Sequence, residues 1–110
     1  MSLKEIYDKL ITLDIPVAYY KFNKPQSLPF CVYFEYGTEI KGADNYNLYR
    51  EAEIRIELYY KTKSPELEHK IEALFRDREL EKTADSYIKE EDMFLTAYAF
   101  TTYEPIEEDL

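Results

Sequence analysis

One histidine, one cysteine and 23 acidic residues are the groups through which this 110-residue chain could do chemistry. His69 stands between Glu68 and Lys70, with Glu66 and Glu72 close by in sequence, and this suggests half of a metal site. The missing ligands could only be carboxylates, and a metal needs several of them converging in space. A histidine on a solvated helix face explains the same pattern with fewer demands. Cys31 lies in an apolar stretch with no second cysteine to pair with and no base beside it, so it reads as a packed core thiol. Gly37 and Gly42 bracket Thr38-Glu39-Ile40-Lys41. A phosphate-binding loop needs denser glycines, a Lys-Ser/Thr ending and a following helix, and none of these is present. Glu90-Glu91-Asp92 and Glu107-Glu108-Asp109 lack the alternating ligands and glycine of a calcium loop and read as solvated charge. No catalytic, metal or cofactor residue is assigned, and no enzyme is expected.

Tyrosine is the remaining unusual component, with 12 residues. Tyr19-Tyr20, Tyr33, Tyr36, Tyr46, Tyr49, Tyr59-Tyr60, Tyr98 and Tyr103 fall on extended segments or their ends. Half-buried packing in a sheet explains such a distribution. Subunit contact explains it equally, because a ring with one dry and one wet end suits an interface. A stacking platform for single-stranded nucleic acid would pair its aromatics with Lys and Arg. Here the net charge is −9, and the flanking charges are mostly acidic. That balance weighs against a dedicated nucleic-acid binder. No apolar run approaches the ~20 residues of a membrane helix, so no membrane partner is expected.

The elements that must position these residues follow from periodicity and punctuation. Ser2 with Glu5 has the form of a capping box, and Leu3, Ile6, Tyr7, Leu10 and Leu13 give a helical stripe that ends at Asp14-Ile15-Pro16. Residues 17–22 form a β segment. Residues 30–36 alternate, with Phe30, Val32, Phe34 and Tyr36 on one face and Cys31, Tyr33 and Glu35 on the other. Residues 37–47 read as a long polar hairpin tip or loop. From Leu48 to Tyr60, Ile54, Ile56, Leu58 and Tyr60 alternate with Glu53, Arg55, Glu57 and Tyr59, a strand wet on one side. Ser64-Pro65-Glu66 starts a second helix. Leu67, Ile71, Leu74 and Phe75 form its buried stripe, and Glu66, Glu68, Lys70, Glu72 and Arg76 lie outside. That helix ends within residues 77–80. Residues 86–89 form a short strand, residues 90–92 an acidic turn, and residues 93–103 a strand apolar on both faces.

The order α-β-β-β-α-β-β predicts an α+β two-layer sandwich. Two helices cover one face of a mostly antiparallel sheet of about five strands. Residues 1–103 are expected to form a single domain, and residues 104–110 an acidic, flexible tail. The uncovered sheet face, rich in tyrosine and charge, is left for a partner.

Several phrases within this pattern carry a resemblance. They are Asp14-Ile15-Pro16-Val17-Ala18-Tyr19, Pro25-Gln26-Ser27-Leu28-Pro29-Phe30, Gly42-Ala43-Asp44-Asn45, the strand from Tyr49 to Tyr59 and Leu67-Glu68-His69-Lys70-Ile71-Glu72. Together, over residues 3–103, the chain resembles the small tail-terminator or tail-completion (head-to-tail joining) proteins of long-tailed phages and Gram-positive prophages. The resemblance implies a ring-forming subunit, typically a hexamer, that caps the tail tube and docks to a head-side connector. It implies no enzyme and no cofactor. DNA passes through such a ring without specific binding, and the chain's acidity suits a lumen that must not hold phosphate. The implied location is the virion, assembled in the bacterial host cytoplasm.

Two surfaces are candidates for contact. One is the loop, with Gly37, Glu39, Lys41, Gly42, Asp44, Asn45 and Tyr46. The other is the outer strand face, with Glu53, Arg55, Glu57 and Tyr59. The competing readings are another head–tail connector, such as a stopper or adaptor, and a small cytoplasmic domain that holds a ligand or peptide on its tyrosine face.

Overall fold

The computed structural model describes residues 1–43 and 46–106, and of residues 43 and 46–48 the backbone alone. The capping chemistry at the start is realised. Ser2 Oγ accepts from the Glu5 N–H and the Glu5 carboxylate accepts from the Ser2 N–H, both at 3.1 Å. Two orphan donors of helix α1 (Leu3–Leu10) are thus satisfied locally. A 3-10 turn (Ile11–Leu13) follows, and Asp14 stops it in the left-handed conformation that short polar side chains tolerate.

Five strands form one sheet. They are β1 (Val17–Tyr19), β2 (Phe30–Ala43), β3 (Tyr46–Tyr60), β4 (Glu81–Ile88) and β5 (Met93–Pro105), in spatial order β1-β2-β3-β5-β4. Only β1 runs parallel to its neighbour; the other three pairings are antiparallel. Helix α2 (Pro65–Leu74) lies between β3 and β4 in sequence. Ser64 Oγ caps it by accepting from the Leu67 N–H at 3.3 Å, and proline stands at its first turn. The chain is an α+β protein with two helices on a five-stranded, mostly antiparallel sheet, in the expected order.

The core lies between the helices and one sheet face. Ile6 and Leu10 of α1, with Ile71 of α2 and Phe75 just beyond it, pack on Cys31, Tyr33, Ile54, Ile56, Leu58, Tyr60, Tyr98 and Phe100. The alternation of β3 therefore has the expected direction. On β2 the helices cover the face carrying Cys31 and Tyr33. Phe30, Phe34 and Tyr36 are left on the open side, where only Val32 is buried.

Several boundaries differ from the sequence reading. The segment 17–22 is a strand only to Tyr19, because Tyr20 takes φ 66° and turns the chain out of the ladder. Helix α2 ends at Leu74, short of residues 77–80. β4 begins at Glu81 rather than residue 86. As a mostly exposed edge strand it has no apolar face to advertise itself. β5 continues through Glu104 and Pro105, which pair with Arg50 and Tyr49, so these two residues belong to the sheet. Tyr7, placed on the buried stripe of α1, is exposed.

Candidate interaction surfaces

The polar segment read as a loop is instead part of a long two-stranded arm. Gly37 pairs with Glu53, Glu39 with Glu51, Lys41 with Tyr49, and Gly42 with Asn47, with bulges after Glu35 and Lys41. Charge and hydrogen bonds hold the arm where apolar packing does not. Lys41 reaches Glu39 at 2.7 Å and Glu51 at 3.5 Å, Arg50 reaches Glu35 at 3.1 Å, and Thr38 Oγ1 donates to Glu35 at 2.8 Å. Neither glycine has a positive φ, so neither serves a turn. Of the candidate contact residues, Gly37, Glu39, Lys41 and Gly42 lie on β2, and Tyr46 opens β3 opposite Ala43. Asp44 and Asn45 lie outside the described residues. The clustered core stops at Ile54 on β3, and the molecule measures 52 × 29 × 26 Å, its long dimension matching the continued sheet.

On the open face, Arg55, Glu57 and Tyr59 form one hydrogen-bonded row. Arg55 Nε donates to Glu57 Oε2 at 2.7 Å, and the Tyr59 hydroxyl donates to Glu57 Oε1 at 2.9 Å. Burial, helped by the bond to Glu57, pushes the Tyr59 phenol up to about 12. The row uses up both oxygens of Glu57, so its charge is already compensated within the face. Glu53 lies further along β3 and is exposed, outside the row.

Beside this row is a groove of about 680 Å³. Its floor includes Phe30, Val32, Glu57 and Tyr59. The connection after β1 forms one wall, and Ile88, Glu91 and Met93 of the β4–β5 turn region form the other. Rings line it in series: Phe22 meets Phe30 edge-on at 5.5 Å, and Phe30 stacks on Tyr59 at 5.2 Å. The sequence reading missed this groove. The Tyr-Tyr-Lys-Phe-Asn-Lys run of residues 19–24 offered a signal, since it is an aromatic segment carrying cations on an acidic chain.

Tyrosines divide clearly. Tyr33, Tyr60 and Tyr98 are buried, whereas Tyr7, Tyr19, Tyr20, Tyr36, Tyr49, Tyr87 and Tyr103 are between 38% and 59% exposed. Core packing therefore leaves most of them unexplained.

Under α2 the structure places a polar cluster that the sequence reading put at the surface. Glu68 was expected to lie outside and is 4% exposed. It accepts from the Tyr60 hydroxyl at 2.6 Å and Lys82 Nζ at 2.8 Å, and Lys63 Nζ lies 3.0 Å away. Burial by itself would raise this carboxyl, but the bonds from Lys82, Tyr60 and Lys63 outweigh it and hold the pKa down at about 2. Tyr98 donates to Glu72 at 2.6 Å, and Lys63 also reaches Asp85 at 2.5 Å. Each of these groups has a partner, so the cluster acts as a brace between α2 and β3, β4 and β5.

The remaining reactive groups stand apart. His69 is exposed on α2. Cys31 is fully buried, and burial, with the nearby Glu57 charge, pushes its thiol up to about 12, so it remains protonated at neutral pH. Among the described residues no three of His, Cys, Asp and Glu converge as a metal site, and no helix is long and apolar enough to cross a membrane. No protein-family model and no curated protein matches the chain.

Proposed function

We propose that this protein is a structural subunit of a long-tailed phage or prophage particle, forming a ring at the end of the tail tube and joining tail to head. The ring is a hexamer, the tail-tube protein and a head-side connector are its neighbours, and DNA passes through without specific binding. The chain does no catalysis and needs no cofactor in this role, and it belongs to the virion after assembly in the host cytoplasm. The observation that carries the reading is the combination of an extended sheet arm with half-exposed tyrosines. Tyr36, Tyr49 and Tyr103 lie along the sheet beyond the core, each leaving a third or more of its surface unburied. Such rings gain from a partner that covers them. The net charge of −9 supports a lumen along which DNA slides.

Shortening the arm tests this. Deleting residues 40–50 and closing Glu39 to Glu51 with Asn-Gly spares every residue of the clustered core, removes the sheet partners of Glu104 and Pro105, and supplies a favoured two-residue turn. Because the ion pairs lost with Lys41 and Arg50 are exposed, the variant is expected to unfold within about 1 kcal/mol of the parent. Ring formation or head–tail joining should fall at least ~10-fold, the equivalent of ~1.4 kcal/mol of lost contact. Normal joining by an unchanged ring contradicts the proposal.

A second reading, a small peptide- or ligand-binding domain, is favoured by the aromatic groove alone. A protein that stays monomeric beside tail tubes and binds an unrelated peptide in that groove would support it.

A further inference from the structure

We propose that the groove on the open sheet face receives residues 106–110 of a second copy of this chain. The inference deepens the ring reading by naming a contact between neighbouring subunits, and it rests on that reading only in requiring self-association.

The groove is a built feature. Tyr20 holds its left-handed conformation, φ 66°, through three contacts: its N–H donates to Tyr33 O at 3.0 Å, its hydroxyl donates to Glu35 O at 2.9 Å, and its ring stacks on Phe34 at 5.2 Å. An aromatic residue adopts that conformation only where its surroundings impose it. The turn at Tyr20 sends the following chain along the groove as a wall. That wall brings two cations, Lys21 and Lys24, and among the described residues neither is in an ion pair. Of the two carboxylates lining the groove, Glu57 is already occupied by Arg55 and Tyr59, and Glu91 belongs to the opposite wall. The groove thus offers apolar rings beside two ammonium groups that have no ion-pair partner among the described residues.

The complement exists in the same sequence. Ile106-Glu107-Glu108-Asp109-Leu110 has three acids between two aliphatic residues. It cannot serve its own groove. The segment follows Pro105, which pairs with Tyr49, whereas the groove lies by Met93 and Tyr59 at the other end of the sheet. The twelve steps of β5 between them span ~40 Å at ~3.3 Å per residue. Five residues reach no more than ~17 Å. The contact is therefore between copies and joins one end of a subunit to the opposite end of the next. Repeated head-to-tail contacts of this kind close into a ring when the rotation permits.

The test is fluorescence anisotropy of a labelled peptide of residues 103–110 titrated with the full chain. Binding is expected, weakening as salt rises toward ~1 M. The double variant Lys21→Glu, Lys24→Glu should bind at least ~10-fold more weakly. A peptide with Glu107→Lys and Glu108→Lys should prefer that double variant to the parent, a reversal that a folding defect cannot produce. No binding at ~1 mM, equal binding of a scrambled peptide, or indifference to the charge reversal overturns the inference. Rings that form normally on tail tubes from a Glu107→Lys, Glu108→Lys chain overturn it too, while leaving the ring reading intact. A charge-swapping peptide bound by a protein that ignores tube ends supports the groove contact and removes the ring reading instead.

Discussion

Replacing Glu68 by glutamine is expected to destabilise the fold by about 3 kcal/mol, measured by urea unfolding. The substitution keeps the side chain's shape but removes the one buried charge that faces Lys63 and Lys82. Removing one partner of a buried pair commonly costs ~3–5 kcal/mol. The lower end applies because both lysines are about a third exposed and can turn toward Asp85 and Glu72. Acid dependence distinguishes this account from a simple packing effect. The folded carboxyl titrates at about 2, below its ordinary value of 4.5, so its contribution is complete above that ordinary value and is lost as pH falls toward 2. The stability gap between parent and variant should therefore shrink steadily through that window. Glu66→Gln, on an exposed side chain two residues away, should stay within ~0.5 kcal/mol of the parent. A constant gap across the acid range would show that Glu68 is not the charged centre of the brace.

Phe75→Ala is expected to cost about 3–5 kcal/mol by the same measurement. Phe75 is fully buried where α2 ends, its ring 5.0 Å from Phe100 of β5, and it shares the core with Ile71 and Tyr98. Removing the ring leaves a cavity that the sheet cannot collapse to fill. Phe75→Leu refills most of that volume and should cost less than ~1.5 kcal/mol. A loss below ~1 kcal/mol on Phe75→Ala would mean that α2 is not seated on the sheet through this residue.

These two positions also show what the sequence made legible. Phe75 was readable because Leu67, Ile71, Leu74 and Phe75 repeat at helical spacing, and the capping signals at Ser2 and Ser64-Pro65 marked both helix starts. The strict alternation in β3 was readable because helices cover one of its faces. Glu68 was missed on charge alone, although Glu68, Ile71 and Phe75 stand at i, i+3 and i+7 and share one helix face. A buried charge can be recognised only once its partners are known. Tyr60, Lys63 and Lys82 come from other parts of the chain.

The arm and β4 were obscured for a different reason. A hydrophobic alternation appears where one face of a strand is buried, and among the described residues of β2 and β3 none is buried beyond Ala52, which lies beside Met1 and Leu3. There the ladder is supported by cross-strand pairs such as Lys41 with Glu51 and Arg50 with Glu35, which look like a loop in composition. The groove was hidden because its walls, near residues 20–26 and 88–93, meet only through the tertiary fold. Glu53, Arg55, Glu57 and Tyr59 share one face of β3 by its alternation, whereas the pairing of Glu57 with Arg55 and Tyr59 depends on side-chain conformations that the sequence does not display. That pairing makes the row a settled surface beside the groove.

The proposed role is assembly of this subunit as a ring on the end of a tail tube. Light scattering of the purified full chain, alone and then mixed with assembled tail tubes, tests it most directly. Binding confined to tube ends is expected, saturating at a ring's worth of subunits per end, whatever the oligomeric state before mixing. Indifference to the tubes, or binding along their whole length without a fixed number per end, would contradict it.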